Sequence, residues 1–173
     1  MGPASSSLSA RSPLVLLADP SADNREMYAT CLKAAGFAVH EASAGPDALE
    51  KIKTLMPDVL VADIVLPGMD AFALADVLRS DETTALVPVV VVTGYIQPDL
   101  LSRAAAVGID SILLKPCDPP VLVEEIRMVL EACERLRHST RRPERRNVRR
   151  RHADVLRERA AGLYSSAPFN QSV

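Results

Sequence analysis

Aromatic residues are scarce. The 173 residues hold no tryptophan, three tyrosines and three phenylalanines, 3% in all. A core built from this chain is therefore aliphatic. Cysteine is nearly as rare, at Cys31, Cys117 and Cys133. None forms a Cys-x-x-Cys pair, and His40, His138 and His152 are scattered, so no zinc site or disulfide framework is implied. No apolar run is long enough to span a bilayer, and Met1–Ser12 is Ser/Ala-rich without the apolar centre of a signal peptide. A reducing cytoplasm is the expected compartment, with no membrane partner. No Gly-rich phosphate loop follows the first apolar run, so dinucleotide-binding and NTPase readings fail at their diagnostic position. A metabolic enzyme is not expected.

What is present is 48% hydrophobic, enough for a real core in one domain with tails. The net charge of -2 conceals an asymmetry. Residues 1–130 carry 9 Lys and Arg against 17 Asp and Glu, whereas residues 131–173 carry 11 Arg against 5 acids. The body is acidic and the tail basic. The division expected is a disordered lead over 1–12, a folded body over 13–136 and a basic, flexible tail over 137–173.

The body alternates two patterns. Leu14-Val15-Leu16-Leu17-Ala18 is a short apolar run ending at Asp19. Met27, Tyr28, Cys31, Leu32 and Ala35 follow at helical spacing, and Gly36 stops that helix. Phe37 to Ala42 alternates partly and carries charge, which suits an edge strand. Ser43 is placed to cap a second helix with Ala48, Leu49, Ile52 and Leu55 inward. The stretch ending at Asp63 is a third strand, and a Pro67-Gly68 turn follows. Ala71 to Arg79 is a third helix. Pro88-Val89-Val90-Val91-Val92 is a fourth strand, rich in β-branched residues and ending at Thr93-Gly94. Pro98 opens a fourth helix that Gly108 stops. Ile112-Leu113-Leu114 ends at Lys115-Pro116, and Pro119-Pro120 opens a fifth helix. Five strands alternating with five helices predict an α/β three-layer sandwich. Its parallel sheet takes order 2-1-3-4-5, the flavodoxin-like winding.

Apolar strands running into polar residues put Asp19, Asp63, Thr93 and Lys115 at the ends of four different strands. Parallel strands bring those ends to one rim, where ligands bind in open α/β sheets. Each residue alone has an ordinary explanation. Asp19 could cap a helix, Thr93 could be strand threonine and Lys115 could tether a nearby acid. Together they place two carboxylates, a hydroxyl and an ammonium in one pocket.

These residues, with Asp63-Ile64-Val65-Leu66-Pro67-Gly68-Met69-Asp70, resemble the receiver domain of two-component response regulators, from about Leu14 to Arg135. The resemblance implies roles. Asp63 is the phosphoacceptor, attacking a phosphohistidine on a histidine kinase or phosphotransfer protein to form an aspartyl phosphate. Asp19, Asp63 and the backbone carbonyl of Val65 hold Mg²⁺, which favours one or two carboxylates, phosphate oxygens and retained waters. Lys115 pairs with the phosphoryl group. Thr93 moves to hydrogen-bond a phosphate oxygen. The Lys115–Pro116 bond is cis in such domains.

The sequence departs from the family pattern at identifiable places. The second of two adjacent acids is Pro20, which cannot ligate Mg²⁺, so metal affinity is expected to fall. The switch aromatic of the fifth strand is Ile112. The glycine after Asp70 is Ala71. Val65 and Tyr95 stand where the phosphate lifetime is tuned, and an apolar Val65 orients no water, so slow dephosphorylation is expected. Cys117 beside Lys115 reads as a redox handle if the lysine lowers its thiol pKa, and otherwise as a packed cysteine. The arginine-rich tail has no recognisable helix-turn-helix, no zinc ligands and almost no interleaved aromatics.

Three functions compete. One is a single-domain response regulator that signals through protein contacts of its fourth and fifth helices, with Val121 and Met128 exposed. The second is a phosphorylation-independent pseudo-receiver. The third is a nucleic-acid binder using the tail, with the body as a dimerisation unit; it is the least favoured. A homodimer is compatible with the first.

Overall fold

The computed structural model describes residues 11–138. The expected disordered lead, up to residue 10, and the basic tail from residue 139 lie outside the described residues. The elements run β1 (Leu14–Ala18), α1 (Ala22–Ala34), β2 (Ala38–Ala42), α2 (Gly45–Leu55), β3 (Val59–Ala62), α3 (Ala71–Ser80), β4 (Val89–Thr93), α4 (Leu100–Val107), β5 (Ser111–Leu114) and α5 (Pro119–His138). All strand pairs are parallel, and the sheet order is β2-β1-β3-β4-β5, as the alternation predicts.

The strands are buried on both faces because helices cover both. Period-two alternation splits their side chains into two cores. Leu16, Ala18, Leu60, Ala62, Val89 and Val91 face α2, α3 and α4, where they meet Ile52, Leu74, Leu78 and Ala104. Val15, Leu17, Val59, Val61, Val90 and Val92 face α1 and α5, where they meet Leu32, Leu122, Ile126 and Val129. Burying one such side chain contributes about 1.5–3 kcal/mol. A surface ion pair such as Arg11–Asp58, with the arginine 70% exposed, contributes about 1 kcal/mol at most. The aliphatic cores therefore set the fold. The two edge strands are the exceptions: β5 buries only Ser111 and β2 only Ala42, and the exposure of β2 explains its charged alternation.

Two expected helix starts are corrected. Ser43 does not cap α2. The N-cap is Ala44 in extended conformation with no side-chain cap, and a proline stands in the first turn. The helix begins late because Gly45 N–H donates to the Pro67 carbonyl (3.0 Å), tying this end to the loop after β3. Likewise α4 begins at Leu100 rather than Pro98, since Gln97 accepts from Leu100 N–H in a preceding turn. Met27 is 44% exposed and lies outside the core; the buried residues of α1 are Tyr28, Ala29 and Leu32.

The free amides at the opposite, N-terminal rim are satisfied by two aspartates. Asp58 accepts from Leu14 N–H (2.7 Å) and from Arg11. Asp110 accepts from Val89 N–H (2.8 Å) and from Arg79. Arg79 also donates to the carbonyls of Ala85, Val87 and Gly108, stitching α3 to the start of β4 and the end of α4.

Candidate functional site

The sheet ladder continues one residue past the strands and draws the rim residues together. Asp19 N–H donates to Ala42 O, Asp63 N–H to Ala18 O (2.8 Å) and Lys115 N–H to Thr93 O (2.9 Å). Asp19 follows β1, Asp63 follows β3, Thr93 closes β4 and Lys115 follows β5. The Lys115–Pro116 bond is cis.

Lys115 Nζ donates to Asp19 Oδ2 at 2.7 Å and to Asp63 Oδ2 at 2.5 Å. One ammonium thus joins carboxylates 96 and 52 residues away in the chain. Asp19 is buried, at 3% exposure, and Asp63 and Lys115 are half-buried. Burial pulls the Lys115 pKa down, but hydrogen bonds and attraction from Asp19 and Asp63 outweigh it, and the net shift is upward. Charge-assisted bonds are roughly twice as strong as neutral ones, which is why they prevail over desolvation in this partly open site.

Asp63 is held at both oxygens. Oδ1 accepts from Val65 N–H (2.9 Å) while Oδ2 takes Lys115. The carboxylate is therefore held in one orientation. The Val65 side chain is 57% exposed. Thr93 is fully buried, and its hydroxyl accepts from Tyr95 N–H (3.0 Å), so it is engaged in its own loop. The structure brings Asp19, Asp63 and Lys115 into one cluster and joins Thr93 to it through the backbone.

Among the described residues, no group of three or more His, Cys, Asp or Glu side chains is placed to hold a metal ion. Two hard carboxylates at one rim suit a cation that needs only one or two and completes its shell with water, which is the habit of Mg²⁺. The donor set fits that ion.

The family model for the response regulator receiver domain matches residues 15–127, most of the described body. The chain belongs to the response regulator receiver family. Among curated relatives, the phosphate regulon transcriptional regulatory protein PhoB of Pseudomonas aeruginosa is 34% identical over 67% of this chain and 51% of its own length. The master transcriptional regulator RpaA of a Synechocystis strain is 28% identical over 76% of this chain and 55% of its own. The receiver chain thus spans about half the length of these relatives. Among solved structures, the chemotaxis response regulator CheY4 of Vibrio cholerae superposes with a TM-score of 0.64 at 29% identity, covering 68% of this chain and 98% of that one.

Within this receiver, several side chains escaped the sequence reading. Asn24, in the first turn of α1, donates from Nδ2 to both Asp19 oxygens at 3.3 Å. Arg25 donates to the Asp19 carbonyl (2.7 Å) and the Pro20 carbonyl (3.2 Å), and its Nε reaches Glu41. Polar residues in a first helical turn look like a solvated face, and only the fold shows that these two curl back onto the loop of residues 19–21. Ser21, not Asp19, is the N-cap of α1; Asp19 Oδ1 accepts from Ser21 N–H instead (2.8 Å).

Ile112 is partly buried and packs against the core under α2, α3 and α4, where it fills space. The redox reading of Cys117 is corrected. Burial and the nearby Asp118 raise its thiol pKa, so thiolate is disfavoured, and its sulfur packs against the core beneath α1 and α5. Val121 and Met128 are exposed, at 51% and 42%.

Proposed function

We propose that this receiver accepts a phosphoryl group on Asp63 from a histidine kinase or histidine phosphotransfer protein and signals through protein contacts in the cytoplasm. The observation that carries the reading is Lys115 bridging Asp19 and Asp63, with Asp63 Oδ1 fixed by Val65 N–H. In this step a carboxylate oxygen of Asp63 bonds to phosphorus as the P–N bond of the phosphohistidine breaks, and the imidazole departs. Lys115 stands beside the acceptor to offset the charge that arrives. Bound Mg²⁺, held by Asp19, Asp63 and the Val65 carbonyl, would supply further neutralisation of the phosphoryl oxygens. Thr93 would release Tyr95 N–H and donate its hydroxyl to a phosphate oxygen, drawing the loop after β4 inward. The change shifts an existing equilibrium between conformations. The exposed Val121 and Met128 on α5 form part of the output face.

Intact mass after incubation with acetyl phosphate and Mg²⁺ tests the proposal. Wild type gains one phosphate-sized increment, and Asp63→Ala gains none. Followed in time after donor removal, the increment persists for long periods, because the apolar Val65 orients no attacking water. No gain from acetyl phosphate or from a purified kinase would overturn the reading.

Pro20 favours a second reading, a pseudo-receiver that binds partners without phosphorylation. The same mass measurement separates the two. Some relatives are named as DNA-binding or transcriptional regulators. The family match ends at residue 127, before the arginine-rich stretch, so it lends no support to nucleic-acid binding by the tail.

A further inference from the structure

The acid that is missing at position 20 leaves Asp19 with a neutral partner from another element. Asn24 lies one helical turn beyond Pro20, and its side-chain amide sits 3.3 Å from both oxygens of the Asp19 carboxylate. That carboxylate is already engaged by Ser21 N–H (2.8 Å) and by Lys115 (2.7 Å). The amide contacts at 3.3 Å are the longest and most readily exchanged of the set. An amide has two ends. Its nitrogen donates to a carboxylate, and its oxygen is a hard donor of the kind that Mg²⁺ and Ca²⁺ accept. Rotation about the last side-chain bond of Asn24 exchanges the two. Among the described residues, the Asn24 side chain has no other hydrogen-bond partner in the site. Its backbone is fixed, because Asn24 N–H is bound by the N-cap hydroxyl of Ser21 (3.4 Å) and the turn is held by Arg25 on the carbonyls of Asp19 and Pro20.

We propose that Asn24 takes over the metal-side role that Pro20 cannot perform, turning its amide oxygen toward a divalent cation held by Asp19 and Asp63. The inference rests on the Mg²⁺-dependent reading of the site given above. In the structure Asn24 donates to Asp19. With the cation bound, it serves as a neutral oxygen ligand, directly or through one water. A neutral ligand binds Mg²⁺ less tightly than an acid would, so this receiver works at a weaker affinity rather than none.

The test is Mg²⁺ binding to the full chain by isothermal titration calorimetry, with no phosphodonor present. Wild type, Asn24→Leu, Asn24→Asp, Asp63→Ala and Ala22→Asp are compared. Ala22 is exposed on the same turn, so its variant controls for added charge alone. Asn24→Leu is expected to weaken Mg²⁺ about 10-fold or more, the usual cost of losing a group that supports a metal site. Asn24→Asp tightens binding beyond Ala22→Asp. Circular dichroism without metal confirms that each variant is folded. Wild-type affinity in a folded Asn24→Leu would overturn the inference and leave the Asp63 site standing, provided Asp63→Ala still loses binding. Equal tightening by Asn24→Asp and Ala22→Asp would also overturn it, since only charge would then matter. No Mg²⁺ binding by wild type would overturn both this inference and the metal-dependent reading beneath it.

Discussion

At the scale of single residues, the site is tuned by competition between burial and pairing. Lys115 has a raised pKa because Asp19 and Asp63 outweigh the cost of burial. Tyr28, buried with its hydroxyl donating to the Cys117 carbonyl (3.1 Å), is raised chiefly by desolvation. Both groups hold their proton more firmly folded than unfolded. Their stabilising contribution is therefore complete below the ordinary values of 10.5 and 10.0 and is lost as pH rises through the raised ones. Thermal unfolding between roughly pH 9 and pH 12 should show a steep fall in Tm for wild type and a shallower one in both Tyr28→Phe and Lys115→Met. Parallel slopes in all three would contradict the assignment. At this scale the sequence was informative where a residue type conflicts with its surroundings. An acid or a lysine directly after an apolar strand is conspicuous, so Asp19, Asp63 and Lys115 were legible. Asn24, Arg25, Asp58 and Asp110 were not. A polar residue in a turn or first helical turn conflicts with nothing, and its partner is known only once distant strands lie side by side.

Between elements, the close approaches decide what can change. A methyl group on Gly45 would lie 2.1 Å from the Met69 carbonyl oxygen, nearer than any real contact. The start of α2 is thereby locked against the loop that follows Asp63. Gly45→Ala should lower stability by about 1–3 kcal/mol in urea denaturation, the usual cost of overpacking. Were helix propensity the controlling factor, the change would stabilise instead. The two aspartates at the opposite rim make a second comparison. Asp110 serves Val89 N–H and Arg79, whose side chain is 12% exposed. Asp58 serves Leu14 N–H and the 70% exposed Arg11. Asp110→Ala leaves a sheltered guanidinium and an amide without that partner, and should cost about 2–4 kcal/mol. Asp58→Ala should cost about 1–2 kcal/mol, because water readily replaces it at Arg11. Denaturation midpoints in the reverse order would show that burial is not what separates them. Helix starts were the least legible elements. Ser43 and Pro98 both carry starting chemistry, but a tertiary bond from Gly45 and a preceding turn at Gln97 moved the real starts.

For the molecule as a whole, the pattern was legible because the core is simple. Four of the five strands are short aliphatic runs, and alternation assigns each side chain to one of two helical layers without aromatic residues to confuse it. The sheet order followed from the charged β2, which only an edge tolerates. Strands β1, β3 and β4 lie inside the sheet with both faces covered. Their amides should exchange hydrogen only through global unfolding, whereas the stretch from Gly94 to Asp99 between β4 and α4 exchanges orders of magnitude faster. Residue-resolved exchange by NMR checks this, and uniform protection across that stretch and the sheet would contradict it.

The position of Tyr28 has an optical consequence. With no tryptophan in the chain, near-ultraviolet emission comes from three tyrosines alone. Tyr28 is 3% exposed and tethered to the carbonyl two residues after Lys115, whereas Tyr95 is 47% exposed at the loop that begins with Thr93. The two differ in accessibility to a soluble quencher, so acrylamide quenching resolves them once the third, Tyr164, is replaced by phenylalanine. The protein carries its own pair of labels, one behind the lysine and one in front of the threonine, and needs no dye to report what happens between them.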